Sequence, residues 1–430
     1  MKDFFELEKR GTTVKREFVG GLTTFLTMAY IVFVNPDILS QTGMDKGALI
    51  TATCLAGAIG TLIVALWVKA PMAMAPGMGL NAFFTYSLVL PHENVTWEMA
   101  LGVVFLSGIF FLFLTISKIR QKIINAIPDS LRLAVGAGIG LFITFIGMKN
   151  MGLITAHPAT LVTLGEFTQP VVLGLVGLIV IVVLETYKVR GSLLIGIVTT
   201  YVLGLTFGEI SLSGSLMSMP PSLSPIAFKL DILGALQLSL VGAIFSFMFV
   251  DLFDSVGTIV ACSYQADMVE KDGSIQKIDK MLEADAIATV AGSLLGTSTT
   301  TTYVESASGI ADGARTGLAS LFTALFFICA LFFAPFIGSV PSFATSPALI
   351  VVGAFMFRLV RQIDIANFEV AIPTFLTIIM MPLTYSISNG ISMGFLAHIV
   401  VSVAGGKVKT ISPILWIVAA LSLLNLLYGV

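Results

Sequence analysis

Gly296-Thr297-Ser298-Thr299-Thr300-Thr301-Thr302-Tyr303-Val304-Glu305-Ser306-Ala307-Ser308-Gly309-Ile310-Ala311-Asp312-Gly313 lies between long apolar runs. One helix needs roughly 20 apolar residues to cross a bilayer. This stretch offers instead a β-prone run of threonines, a carboxylate, and then small residues suited to a short helix. Such backbone persists at membrane depth only where it is buried in protein or lines a cavity. It reads as a discontinuous span that holds a ligand, with Glu305 at its working point.

The rest of the chain fits that setting. Of 430 residues, 56% are hydrophobic and 11% charged, and the mean hydropathy is +0.98. A soluble domain carries about 25% charged residues, so the composition predicts an all-α polytopic membrane protein. The net charge of −2 carries no information about partners, and no basic patch suggests nucleic acid. Cys54, Cys262 and Cys329 have neither metal-ligand spacing nor a disulfide framework. His92, His157 and His398 are scattered and form no motif. Residues 1–17 are charged and lack the apolar core of a cleavable signal peptide; the first span is expected to act as an uncleaved anchor.

Apolar runs fall near 18–39, 47–68, 72–90, 98–117, 131–148, 170–187, 192–208, 233–260, 282–296, 299–313, 316–337, 346–360, 368–386 and 389–404, with a further segment at 412–429. This predicts 14 spans plus a C-terminal hydrophobic segment over 405–430. Cations concentrate in alternate connections: Lys69; Lys118, Arg120 and Lys122; Lys188 and Arg190; Lys271, Lys277 and Lys280; Arg315; Arg358 and Arg361; Lys407 and Lys409. The others hold little beyond Lys46, Lys149 and Lys229. By the positive-inside rule, residues 1–17 are expected in the cytoplasm of a cell whose inner, plasma membrane holds the protein.

A polar-leaning linker at 209–232, with Pro220, Pro221 and Pro225, divides the chain into 18–208 and 233–404. Ala56-Gly57-Ala58-Ile59-Gly60-Thr61 resembles Ala291-Gly292-Ser293-Leu294-Leu295-Gly296-Thr297, and Ala75–Asn81 corresponds to Glu305–Ala311. The offset is 235 residues for Gly57/Gly292 and 230 for Gly79/Gly309. Repeats of seven spans have opposite orientation, and paired broken helices in inverted repeats are the architecture of a secondary transporter. The breaks fall in the third and tenth spans.

Ionisable groups inside a membrane are costly and generally face a cavity or a partner. Asp251 and Asp254 lie three apart on one face of the eighth span, and Thr258 extends that face. Burial and like charge both favour the neutral form of a carboxyl, so such a pair could be loaded with protons. Asp251 also fits a local cap or pair. Asp285 near the start of the ninth span fits either a favourable first-turn charge or a functional role. Asp312 and Arg315 fit an ion pair. Glu305 has no cation within a helical turn, which favours a working role. Asn35-Pro36-Asp37 fits an outer helix end. Ala75-Pro76-Gly77-Met78-Gly79 lets a ligand approach the backbone, and Phe83, Phe84 and Tyr86 follow it, as stacking or packing residues. Gly136, Gly138 and Gly140 fit helix packing. No nucleophile–base set, P-loop or zinc motif is present, so an enzyme is not expected.

Several stretches resemble one family. Gly20-Gly21-Leu22-Thr23-Thr24-Phe25-Leu26-Thr27-Met28-Ala29-Tyr30-Ile31-Val32-Phe33-Val34-Asn35-Pro36 looks like the opening of the AzgA-like purine permeases of the nucleobase:cation symporter-2 family. So do Ala75–Ala82, Asp254-Ser255-Val256-Gly257-Thr258, Thr302–Ile310 and Pro382–Ile391. The resemblance implies a uracil-transporter-like fold, with a core domain about 18–117 and 233–337 and a gate domain about 131–208 and 346–404. It implies proton-driven import of adenine, guanine or hypoxanthine, without a cofactor beyond the coupling proton, in a lipid bilayer; a homodimer is compatible with it. The family's eighth-span acid falls on Asp254 and its Tyr-x-Glu on Tyr303 and Glu305. Ser306 in place of Asn, and Asp254 in place of Glu, fit the purine branch. Candidate substrate contacts are Asp254, Glu305, Ala75, Gly77, Tyr303, Ser306, Thr258, Phe84 and Asn35; candidates for the coupling proton are Asp254, Glu305, Asp251 and Asp285. The alternatives are a uracil, xanthine or sulfate-permease-like anion carrier of this fold, or a channel; two buried carboxylates would repel an anion.

Overall fold

The computed structural model describes residues 4–117, 123, 126–211, 215–270 and 274–428. Lys118, Arg120, Lys122 and Lys271 of the charge alternation lie outside these residues. The chain runs through α1 (Val14–Met28), α2 (Ile31–Leu39), α3 (Lys46–Ile63), β1 (Met74–Pro76), α4 (Met78–Ala82), α5 (Trp97–Ile116) and α6 (Asp129–Met151). A hairpin of β2 (Ile154–His157) and β3 (Leu161–Leu164) follows, then α7 (Gln169–Thr186), α8 (Ser192–Thr206) and α9 (Ile232–Ala235). Next come α10 (Val241–Gln265), α11 (Ile278–Leu295), β4 (Thr300–Thr302), α12 (Ser306–Ala311), α13 (Gly317–Ala330) and α14 (Ala334–Ser339). The last four are α15 (Ser342–Phe357), α16 (Phe368–Thr384), α17 (Ile387–Ala404) and α18 (Pro413–Tyr428). Among the described residues, nine helical segments are long and apolar enough to cross a membrane.

Helix starts are written locally. Thr13, Asp45, Thr96, Thr316, Asn367 and Ser386 each accept a hydrogen bond from a first-turn N–H, which satisfies a donor that the helix itself cannot. Both breaks are written locally too. Pro76 interrupts one span, and the β-branched run Thr299–Thr302 favours extended backbone in the other. The two strands then solve each other's problem. β1 and β4 pair antiparallel, Met74 opposite Thr302 and Pro76 opposite Thr300. Backbone groups that helix hydrogen bonds leave free are thus satisfied inside protein.

The helices pack in two groups. Around the strands, α3 lies on α11 and α13, α5 on α10 and α11, and α1 on α12 and α13. In the other group α6 lies on α15 and α16, α16 on α17, and α7 on α8 and α15. A Cβ on Gly140 would fall 2.6 Å from the Gly353 carbonyl oxygen, so the small residue allows α6 and α15 to touch.

Three readings of the sequence change here. The hairpin β2–β3 fills what reads as a plain connection. Asp285 sits two turns inside α11, so it is not a first-turn charge. Asp312 and Arg315 do not pair: Asp312 joins Arg190 and accepts from Thr23 Oγ1 at 2.6 Å, while Arg315 Nη1 donates to the carbonyls of Ile310 and Ala314. Residues 4–17 also do more than trail. Glu17 is fully buried and accepts from the N–H groups of Arg315, Thr316 and Ala319 and from Thr316 Oγ1, at 2.9–3.2 Å. It caps α13 from another helix, and Phe5 and Leu7 pack on Leu318 beside it.

Candidate functional site

The strand pair sets the positions of the site. Gly77 N–H donates to the Thr299 carbonyl and Tyr303 N–H to the Ala73 carbonyl, both at 2.9 Å, which extends the ladder at each end. Ser306 Oγ accepts from Ala73 N–H at 3.0 Å, and Tyr303 Oη donates to the Pro76 carbonyl. α4 and α12 start immediately beyond the strands. Ala75, Gly77, Tyr303 and Ser306 therefore converge on one junction, with their polar groups engaged in holding it.

Two of the four acidic candidates hold scaffold. Asp285, fully buried, accepts from Ser255 Oγ at 2.5 Å, from Thr302 N–H at 2.8 Å and from Thr302 Oγ1 at 2.9 Å. It is a side-chain substitute for a third strand, since it takes the N–H that β4 turns away from β1. Asp251 accepts from Thr289 Oγ1 at 3.0 Å, and the same hydroxyl meets the backbone of Thr300. Helices α10 and α11 thereby grip β4 from behind.

The other two acids do not engage β4. Asp254 is exposed although it lies midway along α10, and among the described residues its carboxylate has neither a hydrogen bond nor an ion pair. Gly257, Ala261 and Tyr264 are exposed on the same side, at helical spacing. A Cβ on Gly257 would meet nothing within 4 Å. In the other direction the stripe is shut: Val250 and Phe247 are buried, and Phe247 stacks on Phe83 with ring centroids 4.6 Å apart. A lane thus runs from Asp254 to the C-terminal end of α10. A carboxylate at this depth is tolerable against a water-filled cavity and not against lipid. Glu305, half-buried, lies across from it where α12 packs on α10, within electrostatic reach of Asp254. Its Oε1 accepts from Tyr30 Oη at 2.6 Å.

Among the remaining candidates, Thr258 is buried on the flank of α10 and Phe84 is fully buried beyond α4. Asn35 is fully buried, and its Nδ2 donates to Thr53 Oγ1 at 2.7 Å and Thr297 Oγ1 at 3.0 Å. The structure adds Tyr30. A lone phenol among apolar neighbours of the first span is the signal that could have found it. Among the described residues, no cluster of His, Cys, Asp and Glu is arranged to hold a metal ion.

A multi-pass helical bundle with a broken, strand-paired centre defines a class of membrane transport domains. The fold is similar to the transmembrane domain of the bicarbonate transporter BicA of a cyanobacterium, with a TM-score of 0.68 at 16% identity over 87% of this chain and 96% of that one. The chain belongs to the Permease family, whose model matches residues 15–393; it is a permease and not an enzyme. It is 45% identical to the guanine/hypoxanthine permease PbuG of Bacillus subtilis, over 97% of both chains. It is 40% identical to the adenine permease AdeP of Escherichia coli, over 99% of this chain and 95% of that one.

Proposed function

We propose that the protein imports purine nucleobases by proton symport across the cytoplasmic membrane, with residues 1–17 inside the cell. The observation that carries the reading is the pair Asp254 and Glu305, one carboxylate unpartnered and the other held by Tyr30, at the head of an open lane. Relatives named for adenine and for guanine/hypoxanthine support a purine as cargo. A neutral base brings donors and acceptors on its edge. A proton on Asp254 or Glu305 turns one acceptor into a donor and lets the two acids read that edge together. Asp285 and Asp251 serve as anchors of β4 rather than as proton carriers.

In this reading the strand-bearing group is the core and the group around α6, α15 and α16 is the gate. The 14 spans form two inverted repeats, which meet at β1 and β4. The lane from Asp254 leads toward the end that carries Glu17, so the conformation is inward-open. Rocking of core against gate alternates this lane with one on the other side. The test is uptake of labelled hypoxanthine, guanine and adenine by cells lacking their own purine carriers. Uptake abolished by an uncoupler, and lost in Glu305→Gln and Asp254→Asn at normal expression, is the expected result. Wild-type uptake by either variant would remove that residue from the mechanism; uptake indifferent to the uncoupler would remove the proton.

A further inference from the structure

Hydrogen bonds between the two helix groups are unevenly placed. At the end remote from Glu17, Ser87 Oγ donates to the Tyr385 carbonyl at 2.7 Å, and Asn150 Nδ2 donates to Tyr86 Oη at 2.9 Å. Tyr201 Oη and Ser339 Oγ share a bond of 2.9 Å there. Asp37 stands apart from these neutral pairs. It closes α2, is buried to 7% exposure, and draws donors from both groups. Lys46 Nζ at the start of α3 meets Oδ1 at 3.3 Å. Ser342 Oγ meets Oδ1 at 3.2 Å and Thr345 Oγ1 meets Oδ2 at 3.1 Å, both from the first turn of α15. A carboxylate at that helix N-terminus also meets its dipole favourably. At the Glu17 end, the pair Arg190–Asp312 joins the groups, and its arginine is 60% exposed.

We infer that Asp37 is the positioning residue of the outer gate: its carboxylate clasps α15 while the pocket faces inward, and must release it for the pocket to face out. Resting on the alternating-access reading above, this adds the residue that sets the balance between the two states. Geometry supports release by water. Ser342 lines a cleft of about 760 Å³ at that end, with Lys149, Asn150 and Glu166, so solvent can take over the hydroxyls as they leave Asp37. The path that would open is the contact between α4 and α6, where a Cβ on Gly79 would fall 2.5 Å from Ile139 Cγ2.

The experiment places a reporter cysteine at Ile139 in a background with Cys54, Cys262 and Cys329 replaced, and follows labelling by a membrane-impermeant maleimide on intact cells. Losing a charge-assisted clasp should raise the labelling rate about tenfold or more in Asp37→Ala. Asp37→Glu should return it toward the parent. The pair Ser342→Ala/Thr345→Ala leaves the carboxylate and its lysine in place and should raise labelling as well, which decides the matter if Asp37→Ala fails to fold. Labelling unchanged in the hydroxyl pair overturns the clasp. Purine uptake by the parent is measured alongside: its absence would sink the transport reading, whereas normal uptake with unchanged labelling sinks only the role of Asp37.

Discussion

Replacing Asp285 by alanine and by asparagine separates a scaffold from a proton carrier. Alanine strands both donors of Thr302, the N–H at 2.8 Å and the hydroxyl at 2.9 Å, in a fully buried site. Ser255 escapes, because it already lies 2.7 Å from Thr301 Oγ1 and can turn to it. Each stranded buried donor costs about 1–3 kcal/mol, so the two together put the alanine variant about 2–6 kcal/mol down. Asparagine keeps an oxygen for both Thr302 donors. Its amide can donate to Ser255 Oγ, which then donates to Thr301, so every group remains satisfied at a cost under about 1 kcal/mol. Unfolding entropy grows with chain length, so for a chain of this size the alanine variant should melt about 3–6 °C lower and the asparagine variant within about 1 °C of the parent. The assay is thermal unfolding in detergent, paired with purine uptake. Uptake retained by Asp285→Asn is the expected outcome. An asparagine variant that melts as low as alanine would refute the hydrogen-bond account. One that is stable but does not transport would move the coupling proton onto Asp285.

Glu17→Ala should destabilise the protein by several kcal/mol, at about 1–3 kcal/mol for each donor left stranded, since it removes the shared acceptor of four bonds at the start of α13; the measure is the detergent melting temperature, and a shift within about 1 °C would show the cap to be dispensable. Tyr30→Phe removes the 2.6 Å bond to Glu305 and little volume. It should raise the KM for purine uptake about tenfold while leaving the melting temperature near that of the parent, and an unchanged KM would free Glu305 from Tyr30.

The broken span was legible because its parts are local: threonines extend, Pro76 interrupts, and small residues restart a helix. Glu305 and Asp254 stand out as candidates for a related reason, since a carboxylate in an apolar run carries its own signal. The partners were not. Nothing in the sequence near Glu305 points to Tyr30, which is 275 positions away, nor does anything near Asp285 point to Ser255. Asn35 and Phe84 looked like pocket residues by type, yet their burial is decided by helices far along the chain. The same limit explains Asp312, where the nearer cation Arg315 turns to carbonyls and the distant Arg190 takes its place.

Glu17 has a consequence for how the molecule is made. Its carboxylate belongs to the first helix, but the groups that satisfy it lie 298–302 residues later. Chains grow at about 5–20 residues per second, so the first helix waits roughly fifteen to sixty seconds for its cap. During that interval an acidic side chain destined for a dry interior has only headgroups and water to answer it, which favours holding α1 shallow in the interface. β1 waits about three quarters as long for β4. The order of synthesis therefore leaves the first half of the bundle provisional, and the arrival of residues 300–319 closes the site and the N-terminal end in one stroke.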